Sequence, residues 1–433
     1  MFLKRLKLEN VRCIDSLEID FRVADVDGDV RSSARGINRK WTMILGQNGT
    51  GKSSILRASA LILAGSDALT ELLGTANKWI QQDKSFAEIQ AEVETAEGEP
   101  RELRLRIPRD KTILDILELN RDSLKAIDAA LAHTQRSYFF VGYGASRRLS
   151  SKRMAQFGET YKHPRAQAVS TLFSSDANLN PLESWAMNLA FSRPKSGIEI
   201  IRSALAEIMP DVTFLDIDRE TGDLMFETPD GVIPLSQLSD GYQNMAAWCG
   251  DLLFRITSAF KDYKKPLEAR GLLLLDEIDL HLHPVWQRQL HEFITNKLPN
   301  IQIIATTHSA LTAQQSGPGE LYFLQRGENA QAPKLEPFRG SPNLLLAHQI
   351  LASPAFGVKT LDSKYVEDLK TRYRQIKAIS SKERSRSEAK EFKELSELLE
   401  SLPTYPMPSR SNADLESLLQ EVRTELKLAK GEK

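Results

Sequence analysis

Residues 46–53 have the types and the spacing that hold a phosphate group. The segment Gly46-Gln47-Asn48-Gly49-Thr50-Gly51-Lys52-Ser53 fits the pattern G-x-x-x-x-G-K-S, in which glycines let backbone N–H groups surround phosphates at the start of a helix. The Lys52 ammonium would neutralise the β- and γ-phosphates, and the Ser53 hydroxyl would ligate Mg²⁺. An ordinary glycine turn is the alternative. An apolar run before the segment and helical spacing after it favour the phosphate site.

Two adjacent carboxylates, Asp276 and Glu277, follow the apolar run at residues 272–275. Such a run is typical of a buried strand, and ligands of open α/β sheets bind at the carboxyl ends of their strands. Asp276 is predicted to hold Mg²⁺ through water, and Glu277 is predicted to act as the general base on the attacking water. Strand ends are often acidic for other reasons, so this prediction depends on the phosphate-binding segment.

His308 lies shortly after a second apolar run, residues 301–305. Its imidazole would lie at the same sheet edge, where it could hydrogen-bond the γ-phosphate. A lone histidine at a strand end is more often structural than functional, so this role depends on the other motifs. His281 and His283 do not predict zinc, because no further ligands follow them at zinc spacing.

The elements that position these residues are predicted to alternate between strands and helices. Apolar runs that are typical of buried strands lie at residues 41–45, 138–141, 272–275 and 301–305. Because helical spacing follows several of these runs, the sequence predicts an α/β fold with a largely parallel sheet. Two further strands are predicted within residues 2–22. A meander is predicted within residues 212–235, and it leads into Leu238-Ser239-Asp240-Gly241-Tyr242-Gln243.

Composition and charge argue against several classes of protein. The 57 basic and 58 acidic residues give a net charge of −1, so no whole-chain field favours nucleic acid or an anionic membrane. The two cysteines, Cys13 and Cys249, are too few for a disulfide framework, which indicates a reducing compartment, and we expect the cytoplasm. We find no signal peptide and no apolar run near the roughly 20 residues of a membrane span. We therefore expect no association with a membrane.

Five elements in chain order resemble the motifs of ABC ATPases. They are Walker A (residues 46–53), the signature (residues 238–243), Walker B (residues 272–277), the D-loop residue Asp279 and the H-switch His308. In that superfamily two subunits enclose two ATP molecules, so the resemblance implies ATP and Mg²⁺ as cofactors and a homodimer or higher homo-oligomer with shared sites. The nucleotide contacts that it implies are Gly46, Gln47, Asn48, Gly49, Thr50, Gly51, Lys52, Ser53, Ser54, Arg12, Ser239, Gly241 and Asp279.

The resemblance also implies a P-loop NTPase fold, with an ABC-ATPase-like mixed sheet and helical insertions. Residues 1–338 would form the ATPase domain, with a helical insertion at about residues 145–210. Residues 339–433 would form a charged, helical C-terminal region. No glutamine stands at the Q-loop position after Val141, and Asp240 replaces the commoner signature glycine. The basic stretch that follows is most simply a solvated face, with a phosphate or nucleic-acid contact as the alternative. Within it, Arg147 is the residue that we expect to sense nucleotide or a partner.

Several sequence segments narrow the resemblance to one branch of the superfamily. Residues 6–12 and 276–284 are similar to RecF, SMC and OLD-like ATPases. Residues 142–147, 239–242 and 306–309 are similar to ATPases of bacterial anti-phage systems such as Septu, PARIS and some retrons. This branch implies an ATP-driven sensor and scaffold that controls a partner effector. We expect this effector to be a nuclease.

Alternatives to this function stay open. The chain could be a RecF-like DNA repair ATPase that binds DNA in an ATP-gated manner, so nucleic acid remains a candidate partner. An importer subunit is disfavoured by the RecF-like opening of the chain. Residues 340–433 show no paired acidic metal ligands at a strand end, so we do not expect this chain itself to cut nucleic acid.

Overall fold

The computed structural model describes residues 2–22, 38–95, 98–133, 139–147, 161–177, 179–193, 196–209, 212–218, 220–229, 231–259, 270–326, 332–353, 356–358, 360–381 and 383–402. Contacts divide the chain into two compact units, Met1–Val358 and Lys359–Lys433. The boundary that we predict at residue 338 stays a prediction, and the contacts group residues 339–358 with the first unit. Of the predicted helical insertion, residues 148–160 lie outside the described part of the chain.

The strands of the described residues are numbered in chain order. They are β1 (Phe2–Val11), β2 (Ile14–Asp20), β3 (Trp41–Gly46), β4 (Phe86–Glu94), β5 (Pro100–Pro108), β6 (Phe139–Tyr143), β7 (Thr213–Ile217), β8 (Leu224–Thr228), β9 (Gly231–Pro234), β10 (Gly271–Leu275), β11 (Ile301–Thr307), β12 (Leu321–Arg326) and β13 (Pro333–Pro337).

The α-helices of the same residues are numbered likewise. They are α1 (Lys52–Leu63), α2 (Ser66–Leu72), α3 (Ile113–Leu119), α4 (Arg121–His133), α5 (Pro164–Gln167), α6 (Ser170–Phe173), α7 (Leu182–Ser192), α8 (Gly197–Ile208), α9 (Asp240–Ala259), α10 (Pro284–Lys297), α11 (Ala310–Gln314), α12 (Ala347–Leu351), α13 (Lys364–Ala378) and α14 (Arg386–Ser401). Short 3₁₀ helices cover Ala76–Trp79, Leu235–Gln237 and Pro342–Leu344. Within the described residues, no helix has both the length and the apolar character to cross a membrane.

The central sheet has six described strands in the order β13-β12-β3-β11-β10-β6. The pairs β12·β3, β3·β11, β11·β10 and β10·β6 are parallel, and β12·β13 is antiparallel. This mixed, largely parallel sheet confirms the predicted α/β fold. The order is not the chain order, so strands that are far apart in sequence lie side by side.

The central sheet is buried on both faces, and each strand contributes to both, since successive side chains point to opposite sides. In β3, Trp41, Met43 and Leu45 belong to one hydrophobic cluster, whereas Ile44 belongs to the other. The strands therefore consist of continuous apolar runs rather than alternating patterns. Helices and the smaller sheets cover the two faces.

Two smaller antiparallel sheets complete the described part of the first unit. One has the order β2-β1-β4-β5, and its strands β1 and β2 are the pair predicted within residues 2–22. The other is β7-β8-β9, the predicted meander, which delivers the chain to α9. The opening of the chain thus lies in one small sheet, and the signature segment follows the other.

The second unit contains the helical pair α13 and α14. Ser363 caps the first helix, and Ser385 forms a capping box with Glu388 at the start of the second. The rings of Tyr373 and Phe392 stack with centroids 4.9 Å apart. Local capping and this aromatic contact account for two helices in a segment that is rich in charge.

Candidate nucleotide-binding site

The loops that carry the predicted residues lie at one edge of the central sheet. Leu45 at the end of β3 lies opposite Thr307, and Leu275 at the end of β10 lies opposite both Ala305 and Tyr143. Because these strands are parallel, their carboxyl ends meet. The segments that follow them hold the Walker A, Walker B and H-switch residues and the turn at residues 144–147.

Glycine is required at two positions of the P-loop, for different reasons. A Cβ on Gly46 would lie 2.3 Å from the carbonyl oxygen of Leu324 on the neighbouring strand β12. Gly51 has φ +106°, and a Cβ there would lie 2.9 Å from Sγ of Cys13. The chain can therefore turn from β3 into α1 only where these two positions lack a side chain.

The tip of the P-loop is open to solvent, whereas Thr50 and Lys52, where the loop leads into α1, are buried. Residues 47–49 are exposed, and the hydroxyl of the buried Thr50 donates to the carbonyl oxygen of Gln47 at 2.8 Å. Ser53 is half-buried and Ser54 is buried in the first turn of α1. The first N–H groups of a helix have no acceptor within the helix, so this end of α1 is suited to a phosphate.

Lys52 is buried at the start of α1, and its ammonium folds back over the P-loop. Nζ donates to the carbonyl oxygens of Gly46 at 2.9 Å and Gln47 at 3.0 Å. Burial lowers the pKa of Lys52 to about 8, while the negative charges of Asp276 and Glu277 act in the opposite direction. The two Walker B carboxylates therefore lie close enough to the ammonium to interact with it.

Asp276 is buried, and a threonine of the neighbouring strand orients it. The hydroxyl of Thr306 donates to Oδ1 of Asp276 at 2.7 Å and accepts the backbone N–H of Glu277 at 2.8 Å. One hydroxyl thus fixes both the carboxylate and the next peptide group. Sequence reasoning missed this role. The available signal was a polar residue at the end of an apolar strand.

Glu277 and His308 face each other beside the P-loop. Oε1 of Glu277 lies 3.8 Å from Nε2 of His308, and the two side chains are 32% and 35% exposed. Burial, and then the charge of Lys52, lowers the pKa of His308 below its ordinary value, so the imidazole is neutral at pH 7. A carboxylate and a neutral imidazole thus lie where water can reach both.

Asp279 directs its buried carboxylate toward β11 and α11. Oδ2 accepts hydrogen bonds from the hydroxyls of Thr307 at 2.8 Å and Thr312 at 3.0 Å. These bonds fix the D-loop segment against the end of β11. The role of Asp279 as a nucleotide contact stays a prediction.

Arg147 lies in the turn after β6, and its guanidinium is buried against the Walker B turn. Its N–H groups donate to the backbone carbonyl oxygens of Asp276 and Glu277. Burial lowers the pKa of Arg147 to about 10, so the side chain stays charged at pH 7. Arg147 therefore contacts the chain around the predicted base, and its role in sensing nucleotide stays a prediction.

The signature residues lie at the start of α9. Ser239 is exposed just before the helix, and Gly241 is half-buried in its first turn. A Cβ on Gly241 would lie 3.3 Å from the carbonyl oxygen of His281, and Nδ2 of Asn244 donates to the carbonyl oxygen of Leu280 at 3.2 Å. The start of α9 therefore packs on the D-loop segment, with Ser239 accessible from outside.

Arg12 lies in the turn between β1 and β2 at φ +56°. Its guanidinium lies 4.7 Å from the ring centroid of Trp79, and burial followed by the charge of Arg57 lowers its pKa. The next residue, Cys13, places Sγ 3.7 Å from the carbonyl oxygen of Thr50. The turn that carries Arg12 therefore lies against the P-loop.

The donor set at this edge fits magnesium held together with a phosphate. Mg²⁺ prefers hard oxygen ligands, and in nucleotide sites it is bound by one or two protein oxygens along with phosphate oxygens. The Ser53 hydroxyl and the Asp276 carboxylate are oxygens of this kind. In the described part of the chain, no group of three or more His, Cys, Asp or Glu side chains could hold a metal ion.

The chain has a P-loop after one central strand and two carboxylates at the end of a parallel strand. A histidine follows the strand that lies between these two. Together these features define an ABC-type P-loop ATPase fold. The chain belongs to the family described as "AAA domain, putative AbiEii toxin, Type IV TA system", which matches residues 42–313. The match covers more than half of the chain and confirms the predicted class.

Two curated relatives carry names from Septu and retron systems. The chain is 26% identical to the Septu protein PtuA of Bacillus mycoides (strain KBAB4), over 76% of this chain and 41% of the relative. It is 30% identical to the "Retron Ec83 probable ATPase" of Escherichia coli, over 34% of this chain and 27% of the relative. The chain thus spans less than half the length of these relatives.

Solved structures of SMC head domains are also similar to this chain. An Smc head domain with an extended coiled coil, bound to the C-terminal domain of ScpA derived from Pyrococcus furiosus, is 14% identical, with a TM-score of 0.44. The match covers 78% of this chain and 96% of that structure. The SMC head domain from Thermotoga maritima is 14% identical with a TM-score of 0.39, over 78% of this chain and all of that structure.

Proposed function

We propose that the chain binds Mg-ATP on its P-loop and hydrolyses it, as the cytoplasmic ATPase of an anti-phage defence system that controls a partner effector. The observation that carries the chemistry is the meeting of Lys52 with the Asp276 and Glu277 carboxylates at one sheet edge. His308 lies 3.8 Å from the second of these carboxylates. Membership in the ATPase-domain family supports the same chemistry.

Lys52, Glu277 and His308 each have one role in the proposed hydrolysis. The Ser53 hydroxyl and the Asp276 carboxylate would hold Mg²⁺, which would supply positive charge to neutralise part of the triphosphate. Lys52 leaves the carbonyl oxygens of the P-loop to pair with phosphate oxygens. Glu277 accepts a proton from the attacking water as general base while the water oxygen bonds to the γ-phosphorus. The bond from the γ-phosphorus to the oxygen that it shares with the β-phosphate breaks, and ADP leaves. His308, neutral at pH 7, donates a hydrogen bond to the γ-phosphate.

A second copy of the chain would complete the site. Ser239 is exposed ahead of α9, and a helix N-terminus with its hydroxyl favours a phosphate. Ser239 of the partner subunit would then contact the γ-phosphate bound on this P-loop. Mass photometry tests this: the Glu277→Gln variant should form dimers with ATP and fewer without it. A variant that is equally monomeric in both conditions would contradict the shared site.

The effector is proposed from the relatives. The chain is similar to proteins named Septu PtuA and retron ATPase, and residues 340–433 contain no Asp-x-Asp pattern. A nuclease supplied by a separate protein would then be the effector. Co-purification with the product of the neighbouring gene tests this. A solitary chain that leaves phage plating unchanged would contradict the proposal.

Calorimetric titration with Mg-ATP tests the binding step. Lys52→Ala removes a charged hydrogen-bond donor, and such bonds contribute about 1.5–3 kcal/mol, so we expect ATP affinity to fall about a hundredfold. Lys40→Ala is the matched control, because Lys40 is exposed one residue before β3. Wild-type protein without affinity for Mg-ATP would overturn the proposed function.

A further inference from the structure

Arg147 forms an unusual set of contacts for a buried arginine. It is only 6% exposed, and its Nε donates to the carbonyl oxygen of Gly144 at 3.0 Å. Nη2 donates to the carbonyl oxygens of Asp276 and, at 3.0 Å, of Glu277. Nη1 lies 3.5 Å from the carbonyl oxygen of Ile278. Three consecutive carbonyl groups of the Walker B turn thus converge on one guanidinium.

The N–H groups of the same turn are held from another strand. The hydroxyl of Thr306 accepts the N–H of Glu277 at 2.8 Å, and the carbonyl oxygen of Thr306 accepts the N–H of Ile278 at 3.0 Å. Glu277 lies between these two sets of bonds, at φ +47°, in a region that residues with side chains rarely adopt. The surrounding bonds therefore hold the predicted base in a backbone conformation that it would not adopt by itself.

We propose that Arg147 is a positioning residue for ATP hydrolysis, and this rests on the proposed function of Glu277 as general base. By binding the carbonyl groups of residues 276–278, the guanidinium keeps Glu277 in the conformation from which it activates water. A guanidinium has five N–H groups, and these contacts use four of them. Positioning of the base, rather than sensing of the nucleotide, is therefore the role that the geometry supports.

Arg147→Lys separates this role from general stability. The lysine keeps the charge, but its compact ammonium cannot reproduce the fork that contacts several carbonyl groups. Arg39→Lys is the matched control, because Arg39 is also buried and donates to the carbonyl oxygens of Asp20 at 3.2 Å and Arg22 at 3.0 Å, remote in sequence from the Walker B turn. Thermal unfolding of both variants reports the structural cost of the substitution.

Steady-state kinetics and ATP binding should then differ between the two variants. A misplacement of about 1 Å can lower a rate about a hundredfold, so we expect kcat of Arg147→Lys to fall by this factor while its Kd for ATP stays within about threefold of wild type. Arg39→Lys should keep both values. Unchanged kcat in Arg147→Lys would overturn the proposal, whether Kd for ATP stays the same or rises about tenfold.

A double variant shows whether Arg147 acts through Glu277. Residues that act as one unit have non-additive effects, so Arg147→Lys should slow Glu277→Gln by less than about threefold further. A further hundredfold loss would show an independent role and overturn the proposal. Full turnover by Glu277→Gln would overturn the proposed base together with this inference, whereas full turnover by Arg147→Lys beside an inactive Glu277→Gln overturns this inference alone.

Discussion

The P-loop and the Walker B turn both change the direction of the chain sharply beside the same nucleotide site, but they do so by different means. The P-loop uses glycines with positive φ, at Gly49 and Gly51. The Walker B turn places Glu277, which has a side chain, at φ +47°. Glycine adopts such angles without steric cost, whereas glutamate needs support from its surroundings.

The difference shows where each turn derives its shape. The P-loop reaches its positive φ angles through glycines of its own, Gly49 and Gly51. The Walker B turn is shaped by hydrogen bonds from Thr306 and Arg147, which lie 29 and 130 positions from Glu277 in the chain. A turn that carries the proposed base at a positive φ cannot use glycine there, so its conformation has to be supported from elsewhere in the fold.

The largest effect is expected at the residue that the Walker B turn presents. Glu277→Gln keeps the size of the side chain but removes the base, and general base catalysis contributes roughly a hundredfold to ten-thousandfold. We expect phosphate release to fall about a thousandfold, with ATP affinity within about threefold of wild type. Turnover at the wild-type rate would contradict the assignment of Glu277 as the base.

A smaller effect is expected when the support of that turn is removed. Thr306→Val leaves the N–H of Glu277 and the Asp276 carboxylate without the hydroxyl that bonds both, and an unpaired buried group costs about 2 kcal/mol. We expect this loss of unfolding free energy in urea titrations. Turnover should fall about thirtyfold, because about 2 kcal/mol no longer orients the Asp276 carboxylate and the Glu277 peptide group. Thr42→Val is the control, because the Thr42 hydroxyl is buried without a hydrogen-bond partner among the described residues. Equal losses in both variants would contradict the role of Thr306.

Two alanine variants test whether the P-loop depends on glycine as the comparison requires. Gly51→Ala places a Cβ at φ +106° and 2.9 Å from Cys13 Sγ, whereas Gly49→Ala, at φ +74°, meets no atom within 4 Å. A left-handed residue costs about 1–2 kcal/mol without any clash, and the clash adds to this at position 51. Calorimetry should show ATP affinity about tenfold lower for Gly51→Ala and only about threefold lower for Gly49→Ala. The reverse order would contradict this explanation of the loop.

The smallest effect concerns His308, which lies beside both regions. Its pKa is lowered in the folded protein, so the unfolded chain binds the proton first as the pH falls below the ordinary value of about 6.5. This group therefore lowers stability at acid pH and has no such effect at pH 7.5. The loss of unfolding free energy between pH 7.5 and pH 5.5, measured in urea, should be smaller for His308→Gln than for wild type. An equal or larger loss would contradict a lowered pKa.

Sequence patterns predicted the strands and the order of the motifs, but not the contacts between them. The apolar runs at residues 272–275 and 301–305 predicted β10 and β11 because buried strands have a recognisable composition. No pattern predicted that the Thr306 hydroxyl would bond two groups of the Walker B turn, nor that Arg147 would bind backbone carbonyl oxygens. Such contacts depend on which strands become neighbours, and strand composition does not specify this.

The sequence by itself determined the P-loop, since the spacing of its glycines, Lys52 and Ser53 is a local property of a few adjacent residues. It also determined that an acidic pair and a histidine follow buried strands. Only the tertiary structure decided that β3, β11 and β10 lie side by side and bring these residues to one edge. The physical reason is that hydrogen bonds between parallel strands join segments separated by long stretches of chain, so the neighbours of Glu277 are fixed by the packing of the whole sheet.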